Sequence, residues 1–532
     1  MNPVMLTVFF ALFALVTVIG FFASRWKKAD LNSLNEWGLA GRQFGTVITW
    51  FLLGGDLYTA YTFIAMPALI FGVGAYGFFA IPYVILIFPF AFVVFPRLWA
   101  VASRHGCITP ADFIRVRYGS RWLATAIAVT GIVATMPYIA LNLVGIEVVV
   151  GALGFPTEGI VGEIPLIVAF AILAAYTYTS GLRAPAMIAV VKDVLIYITV
   201  IAAIIVIPRQ LGGFEKIFAA VPPEKLLLTP PEGKDFGQFS NYITVVIGSA
   251  LALFMYPHAI TAMFSAASGN AIRRNMVWMP LYTLTLGLLA LMGFFALAAG
   301  VKDMPEYAPL FARYGSNFAI PALFLHSFPA WFAGIAFATI AIGALVPAAI
   351  MSIASANLYT RNIHREFFNP NVTPAQETQL AKIVSLVVKF GALFFVLFMP
   401  QQYAIQLQLL GGIWMIQTLP AIVGGAFTRW FDHRALLLGW AIGIGTGTWM
   451  AWLQNFTKST YNLELLGYAI PGYAAVYALA LNLIISIVGT LLVRAVGLPQ
   501  SADATQPTDF DDIEAANAGD TRPVPGSIPA IE

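Results

Sequence analysis

The chain has 532 residues, of which 60% are hydrophobic and 10% are charged, and its formal net charge is +3. A typical soluble domain is about half apolar and about a quarter charged, so this composition excludes a soluble multidomain enzyme and a disordered protein. The mean hydropathy of +0.83 indicates a polytopic membrane protein. The small net charge does not indicate a nucleic-acid partner. The single cysteine, Cys107, excludes intrachain disulfides and cysteine-based zinc clusters.

Thirteen stretches of the chain are each long and apolar enough to cross a bilayer, which takes about 20 residues. We number them span 1 to span 13, with approximate bounds 4–23, 43–72, 77–100, 121–151, 162–180, 185–208, 241–266, 274–300, 330–356, 378–400, 401–427, 435–455 and 470–496. The predicted fold is therefore an all-α polytopic membrane protein with about 13 transmembrane helices.

Lysine and arginine collect in alternate loops between the spans. These residues are Arg25, Lys27, Lys28, Arg42, Arg104, Arg115, Arg117, Arg121, Arg273, Arg274, Arg361, Arg365, Arg429 and Arg434. Such loops face the cytoplasm in multi-pass proteins. With thirteen spans, this rule puts the N-terminus outside and the C-terminus inside a cytoplasmic (inner) membrane. Residues 497–532 hold seven of the 25 acidic residues, and their composition predicts a disordered acidic cytoplasmic tail.

Ionisable side chains inside a span are costly and are therefore functional candidates. Those in the predicted spans are Asp56, Glu147, Lys192, Asp193, His258 and Lys389. Asp56 lies near the middle of span 2 and is the hardest to explain structurally. Glu147 could instead face water at the outer end of span 4, Lys192 and Asp193 could neutralise each other, and Lys389 could snorkel or pair within the bundle.

Two spans contain residues that interrupt helices. Span 2 has Gly54 and Gly55 just before Asp56, and span 7 has Pro257 before His258. Unwound backbone at membrane depth is tolerated where it lines a cavity or is covered by protein. Interrupted spans at corresponding places in two halves are typical of a transporter binding site. Because spans 2 and 7 are five apart, the two halves would have inverted topology.

Span 9 contains a run of small residues, 347–357, with Ser352 and Ser355. Small residues let helices pack closely, which is one reading of this run. The other is that the hydroxyl of Ser352, together with exposed backbone carbonyls, supplies oxygen ligands for a hard cation.

Several stretches taken in order are typical of one family of membrane proteins. They are GLAGR (38–42), GGDLYTAY (54–61), ITPADFIRVRYGS (108–120), YTYTSGLRAPAMIAVVKD (176–193), YPHAITAMFSA (256–266) and AAIMSIASANLYTRNI (348–363). Over about residues 36–496 the chain resembles the sodium:solute symporter family. Within that family it is most similar to the bacterial monocarboxylate permeases for lactate, pyruvate and related acids.

The resemblance implies a five-plus-five inverted-repeat core that works by alternating access. The repeats would cover about 43–208 and 241–427, in a transporter core of 36–455 that includes span 12. An extra N-terminal helix and loop (1–35) precede this core, and a C-terminal helix (456–496) follows it. A cation site, with Na⁺ as a possible metal, would use the carbonyls of Gly54, Leu57 and Ala349 and the hydroxyl of Ser352. The substrate-binding or coupling candidates are Asp56, Tyr58, Tyr138, Asn142, Glu147, Lys192, Asp193, Tyr256 and His258.

Two residues depart from the family pattern. Ile353 stands where sodium-coupled relatives usually have a second hydroxyl, and Lys192-Asp193 replaces a Thr-Asp pair of the sugar and proline carriers. The coupling ion, Na⁺ or H⁺, therefore stays open. A fixed cation at Lys192 would suit a carboxylate substrate or would fill the space of a sodium ion.

The sequence thus predicts a secondary active symporter for small monocarboxylates: lactate, pyruvate, and also acetate, propionate or alanine. A sodium-coupled symporter for another small solute such as an amino acid, and a non-transporting membrane sensor, are the alternatives. Metalloprotease and serine-hydrolase motifs are not present in the sequence, so we expect a protein that is not an enzyme. We expect the bilayer and the substrate as its partners, without a cofactor, a nucleic acid or an obligate protein partner.

Overall fold

The computed structural model describes residues 1–26, 30–156, 159–398, 404–499 and 502–511. The first half of the described chain forms helices α1 (Pro3–Phe22), α2 (Leu34–Leu39), α3 (Thr46–Leu57), α4 (Met66–Val73), α5 (Ala80–Arg104), α6 (Pro110–Tyr118), α7 (Arg121–Ala152), α8 (Gly159–Ser180), α9 (Arg183–Gln210), α10 (Phe214–Ala220) and α11 (Pro223–Leu226).

The second half forms helices α12 (Gly237–Leu253), α13 (Pro257–Phe264), α14 (Gly269–Trp278), α15 (Pro280–Ala298), α16 (Ala308–Tyr314), α17 (Ala319–Ser327), α18 (Ala330–Tyr359), α19 (Pro374–Phe398), α20 (Ile405–Met415), α21 (Leu419–Phe427), α22 (His433–Leu453) and α23 (Ala474–Ala495). An antiparallel hairpin of β1 (Thr460–Leu465) and β2 (Tyr468–Tyr473), with Thr460 opposite Tyr473, joins α22 to α23.

Within the described residues, nine helices are long and apolar enough to cross a membrane, or ten if the bent pair α12–α13 counts as one span. This count refers to the described residues only, and an interrupted span yields helices too short to be included. Span 2, for example, is divided between α3, which has 12 residues, and the helical run that begins at Tyr61. The count of thirteen and the orientation of the termini stay predictions.

Both predicted interruptions exist, but the first lies farther along the chain than expected. Helix α3 continues through Gly54 and Asp56, and the backbone becomes extended at Tyr58, with φ −102° and ψ 95°. A π-helical turn, Tyr61–Ala65, then leads into α4. The second interruption is where the sequence predicted it: α12 ends at Leu253, α13 begins at Pro257, and the two are bent by 45°.

Helix α18 forms the centre of the bundle, and nearly all of its residues from Phe332 to Leu358 are buried. Its small side chains let neighbouring helices approach closely. At Gly55 of α3, a Cβ atom would lie 2.9 Å from the Cβ of Ala189 on α9 and 3.5 Å from Cγ1 of Val346 on α18. Helices α3, α9 and α18 therefore meet at the C-terminal end of α3, next to the first interruption.

Loops that the sequence assigns to one side of the membrane do contact one another. Arg115 pairs with Glu366 at 3.4 Å, and Arg117 donates to the carbonyl of Thr428 at 2.8 Å. We call the surface formed by residues 104–121, 361–366 and 428–432 the arginine face.

The tail expected to be disordered from residue 497 is ordered in part. Residues 502–511 lie on the arginine face, where Phe510 is only 6% exposed and the amide of Ala504 donates to the carbonyl of Val116 at 3.0 Å. This corrects the prediction for that segment, because composition alone does not reveal a complementary basic surface. The rest of the acidic tail, 512–532, lies outside the described residues.

Candidate functional site

Lys192 on α9 lies against the interrupted end of α3. Its Nζ donates to the carbonyls of Gly55 at 2.8 Å and Tyr58 at 2.7 Å, and lies 3.2 Å from Oδ1 of Asp193. An ammonium group has three protons to donate, and here three acceptors surround it. The carbonyls at a helix C-terminus lack intrahelical partners. Here the ammonium of Lys192, which is completely buried in the bundle, takes the place of those missing donors and adds a positive charge.

The neighbouring Asp193 is held by a residue that the sequence analysis missed. The hydroxyl of Tyr282 on α15 donates to Oδ2 of Asp193. The Tyr282 ring stacks on Tyr58 with centroids 4.7 Å apart, and it lies where a side chain at Gly54 would project. No motif marks Tyr282 in the sequence. The available signal was the general requirement that a buried carboxylate finds hydrogen-bond donors.

Three of the four residues of the predicted cation site, Gly54, Ala349 and Ser352, have hydrogen bonds of their own in this arrangement. The hydroxyl of Ser352 donates to the carbonyl of Ala349 at 2.9 Å, and the carbonyl of Gly54 accepts from the amide of Tyr58 at 2.8 Å. The ammonium of Lys192 lies at the carbonyls of Gly55 and Tyr58, each one position after the predicted ligands Gly54 and Leu57. That all four predicted ligands bind one ion stays a prediction.

A second group of buried polar side chains lies between the two interrupted spans. Asp56 Oδ2 is 3.5 Å from His258 Nε2, and both side chains are 1% exposed. Among the described residues, neither carboxylate oxygen of Asp56 has a hydrogen-bond partner. Nδ1 of His258 has none there either. Because such groups are costly to leave unpaired, a cluster of them is a candidate site for a polar ligand or a proton.

Aromatic rings enclose this group. The ring of Tyr138 on α7 is 5.5 Å from His258 and 5.3 Å from Tyr256, centroid to centroid. One turn farther along α7, Asn142 Nδ2 donates to the carbonyl of Tyr138 at 3.0 Å, and Oδ1 has no hydrogen-bond partner in the described part of the chain. Apolar walls with a few convergent polar atoms are typical of small-molecule sites.

The structure does not bring Glu147 into this group. Its Oε1 pairs with Arg313 at 3.2 Å, and the two side chains are 22% and 32% exposed. This placement matches the alternative that Glu147 faces water. Five residues beyond Asn142, the α-helical period turns the side chain well away from the direction of Tyr138 and Asn142.

Lys389 is buried, and its Nζ has no hydrogen-bond partner among the described residues. It borders an apolar cavity of about 120 Å³ whose lining includes Leu143 and Phe170. Leu143 follows Asn142 on α7. Successive residues of this helix therefore contribute to the cavity beside Lys389 and to the group around Asp56. The structure therefore separates Lys389 from the group around Asp56.

One of the stretches that carries the resemblance, ITPADFIRVRYGS, has a structural explanation. Thr109 and Asp112 form a capping box at the start of α6. Asp112 also accepts from Asn362 at 2.8 Å and from Arg361 at 3.2 Å, which ties α6 to the region just after α18. These residues therefore join two parts of the arginine face and take no part in the central site.

Two interrupted helices that meet around buried ionisable groups define a secondary-transporter core. Comparison with known proteins agrees: residues 37–443 match the model of the sodium:solute symporter family. The chain therefore belongs to the sodium:solute symporter family. It is a multi-pass membrane protein of a family of solute symporters, and not an enzyme.

Curated relatives extend over nearly the whole chain. A monocarboxylate transport permease protein of Rhizobium johnstonii is 50% identical over 502 residues, which is 93% of this chain and 98% of the relative. An uncharacterized symporter of Bacillus subtilis, YodF, is 33% identical over 486 residues, covering 91% of this chain and 92% of the relative.

Among solved structures, a Na⁺-coupled sialic acid symporter in a substrate-bound outward-open state is similar, with a TM-score of 0.72. The alignment covers 94% of this chain and 99% of that chain at 14% identity. At this identity the likeness establishes the fold alone. The predicted all-α symporter fold is thereby confirmed.

Proposed function

We propose that the protein takes up small monocarboxylates, with lactate and pyruvate as the first candidates, in symport with a proton. The relative named as a monocarboxylate transport permease supports the substrate class at 50% identity. The chemistry of the central group also supports it. Its aromatic walls suit a short apolar chain, and Nδ1 of His258, which has no partner among the described residues, can donate to a carboxylate in the tautomer that carries a proton there.

The contacts of Lys192 carry the proposal for the coupling ion. Its ammonium binds two carbonyls and one carboxylate at the end of α3, which is the oxygen environment that suits a hard cation. Ile353 is buried and has no hydroxyl to offer a cation. We regard the two departures from the family pattern as one change, in which a tethered charge replaces a mobile sodium ion.

Asp56 is the proposed carrier of the coupling proton. An ionised Asp56 would repel a substrate carboxylate bound next to it, and this repulsion is strong in a buried site. A proton on Asp56 removes the repulsion and supplies a hydrogen-bond donor. Substrate and proton would then bind together and leave together, which is the requirement for symport.

The test is uptake of labelled lactate and pyruvate into proteoliposomes. We expect a pH gradient, acid outside, to drive accumulation without sodium, and counterflow to show that the protein is a carrier. Accumulation driven only by a sodium gradient would contradict proton coupling. Absence of both uptake and counterflow for every monocarboxylate tested would contradict the substrate class.

Asp56→Asn separates binding from coupling, because the amide is similar in shape but does not titrate. We expect this variant to retain counterflow and to lose accumulation driven by the pH gradient. Glu147→Gln is the matched control, since it makes the same kind of change at a partly exposed ion pair. Equal loss of proton-driven uptake in both variants would remove Asp56 from the proposed mechanism.

A further inference from the structure

The ordered part of the acidic tail binds the arginine face through a shared carboxylate. Asp503 pairs with Arg117, and its Oδ2 lies 3.2 Å from Nε of Arg429. Arg117 is only 4% exposed and also donates to the carbonyls of Gly425 and Thr428, each at 2.8 Å. One tail residue therefore joins α6 to the loop that follows α21.

The rest of the segment adds contacts of different kinds. Asp509 pairs with His105 at 2.8 Å, and Arg429 donates to the carbonyl of Thr505 at 2.5 Å. The ring of Phe510 is buried, with the guanidinium groups of Arg97 and Arg117 within 6 Å of its centroid (5.6 and 5.8 Å). The segment is thus held by charge, by backbone and by an aromatic anchor.

These contacts connect the two proposed repeats of the transporter. Arg97 and His105 belong to α5 and its end, Arg117 belongs to α6, and all three lie in the first repeat. Arg429, which binds Asp503 and Thr505, follows α21 just after the end of the second repeat. Alternating access moves parts of the two repeats relative to each other, so a segment bound to both stabilises one arrangement at the expense of others.

We propose that residues 502–511 are a detachable strap. While bound, they keep the parts of the arginine face in contact with one another (the closed face), and they leave when those parts separate (the open face). Asp503 and Arg429 are 23% and 48% exposed, and ion pairs at such positions are individually weak, which makes release reversible. The buried Phe510 makes the docking specific. The strap would set how often the face opens, whatever solute the protein carries.

The chain contains its own reporter for this movement. Cys107 is the single cysteine, is completely buried, and lies two residues after His105. Burial, with a smaller contribution from Asp112, raises the pKa of the Cys107 thiol to about 12. The thiol should therefore react with maleimide only when the face opens and exposes it.

The experiment compares maleimide alkylation of Cys107 in the purified full chain with that in two truncations. Ending the chain after Pro499 removes the strap, whereas ending it after Asp511 removes only residues beyond the strap. We expect the first truncation to speed alkylation at least threefold and the second to leave the rate unchanged. Equal rates in all three proteins, or equal acceleration by both truncations, would overturn the proposal.

A single substitution covers the case in which the shorter chain does not fold. Asp503→Asn removes the shared ion pair, and the exposed Asp511→Asn makes the same change without a described ion pair. We expect faster alkylation only in the first variant, with melting temperatures within a few degrees of the parent. Faster alkylation in both variants, or a parent rate in Asp503→Asn, would contradict the strap. Because this readout needs no substrate, it is independent of the proposed function.

Discussion

Lys192 illustrates what single residues in this sequence could predict. Sequence reasoning identified it as an unusual charge in a span, and left open whether it only neutralises Asp193, suits a carboxylate substrate or fills the space of a sodium ion. The structure places it completely buried against two backbone carbonyls. The sequence could not decide this, because the outcome depends on where α3 ends, and that is set by tertiary contacts between helices far apart in the chain.

We predict that Lys192→Met lowers uptake at least tenfold at equal protein level. The substitution leaves the carbonyls of Gly55 and Tyr58 without their donor, and unpaired buried groups are costly. It also removes the positive charge beside Asp193, which keeps its hydrogen bond from Tyr282. Lys382→Met is the control, because that ammonium lies over the ring of Tyr178, 5.6 Å from its centroid, on another helix.

A double substitution provides a stricter test. If Lys192 replaces a sodium ion, Lys192→Met with Ile353→Ser should gain a dependence of uptake on sodium that the parent lacks. Normal uptake by Lys192→Met alone would show that the residue has a structural role.

We predict that Lys389→Met stabilises the protein. The amine is buried without a described hydrogen-bond partner beside an apolar cavity, and such burial costs about 1–3 kcal/mol. Methionine has similar length and no charge, so the free energy of unfolding should rise by about that amount. The measurement is the melting temperature in one detergent, with Lys382→Met as control. A lower melting temperature for Lys389→Met would mean that the amine has a stabilising partner.

At the scale of elements, the sequence predicted correctly which two spans are interrupted, but it predicted the position of the interruption correctly in only one of them. Gly54 and Gly55 permit an interruption, yet α3 continues past them to Leu57. The glycines instead allow close approach: Tyr282 lies against Gly54, and Ala189 lies against Gly55. In span 7, proline fixes the place itself, because its ring excludes the preceding helical turn, and there the prediction was correct.

We predict that Gly54→Ala reduces uptake strongly, because the added methyl group would lie 2.2 Å from the Tyr282 ring. That ring would have to move, and its hydrogen bond to Asp193 would move with it. Gly343→Ala is the matched control: it lies within α18, and nothing is within 4 Å of its added methyl group. Uptake and melting temperature are the measurements. Equal behaviour of the two variants would show that the contact between Gly54 and Tyr282 is dispensable.

At the scale of the whole molecule, composition and hydropathy predicted a polytopic helical protein, because a bilayer leaves few alternatives for a chain this apolar. The number of spans stays a prediction, since interrupted and bent helices do not have the uniform length that hydropathy assumes. The packing of residues 502–511 was not predictable, because a ten-residue segment with six polar residues has no pattern that reveals the surface it binds.

We predict that the arginine face is cytoplasmic, with the N-terminus outside. A fluorescent protein fused after residue 532 should be fluorescent in cells, and an alkaline phosphatase fused there should be inactive. The reverse result would invert the topology. A phosphatase fused in the loop around 221–237 is the control and should be active.

The contacts of Lys192 have a consequence for energy supply. The charge of Lys192 is fixed to α9 and is not carried across the membrane, as the charge of a sodium ion would be. Uptake of one monocarboxylate anion with one proton would then move no net charge. The protein would then forgo the membrane potential, which is worth about 2.3 kcal/mol per elementary charge at 100 mV. It would draw only on the pH difference, which is worth about 1.4 kcal/mol per unit. Accumulation would therefore be electroneutral, unaffected by valinomycin and potassium, and greatest for cells in acidic surroundings.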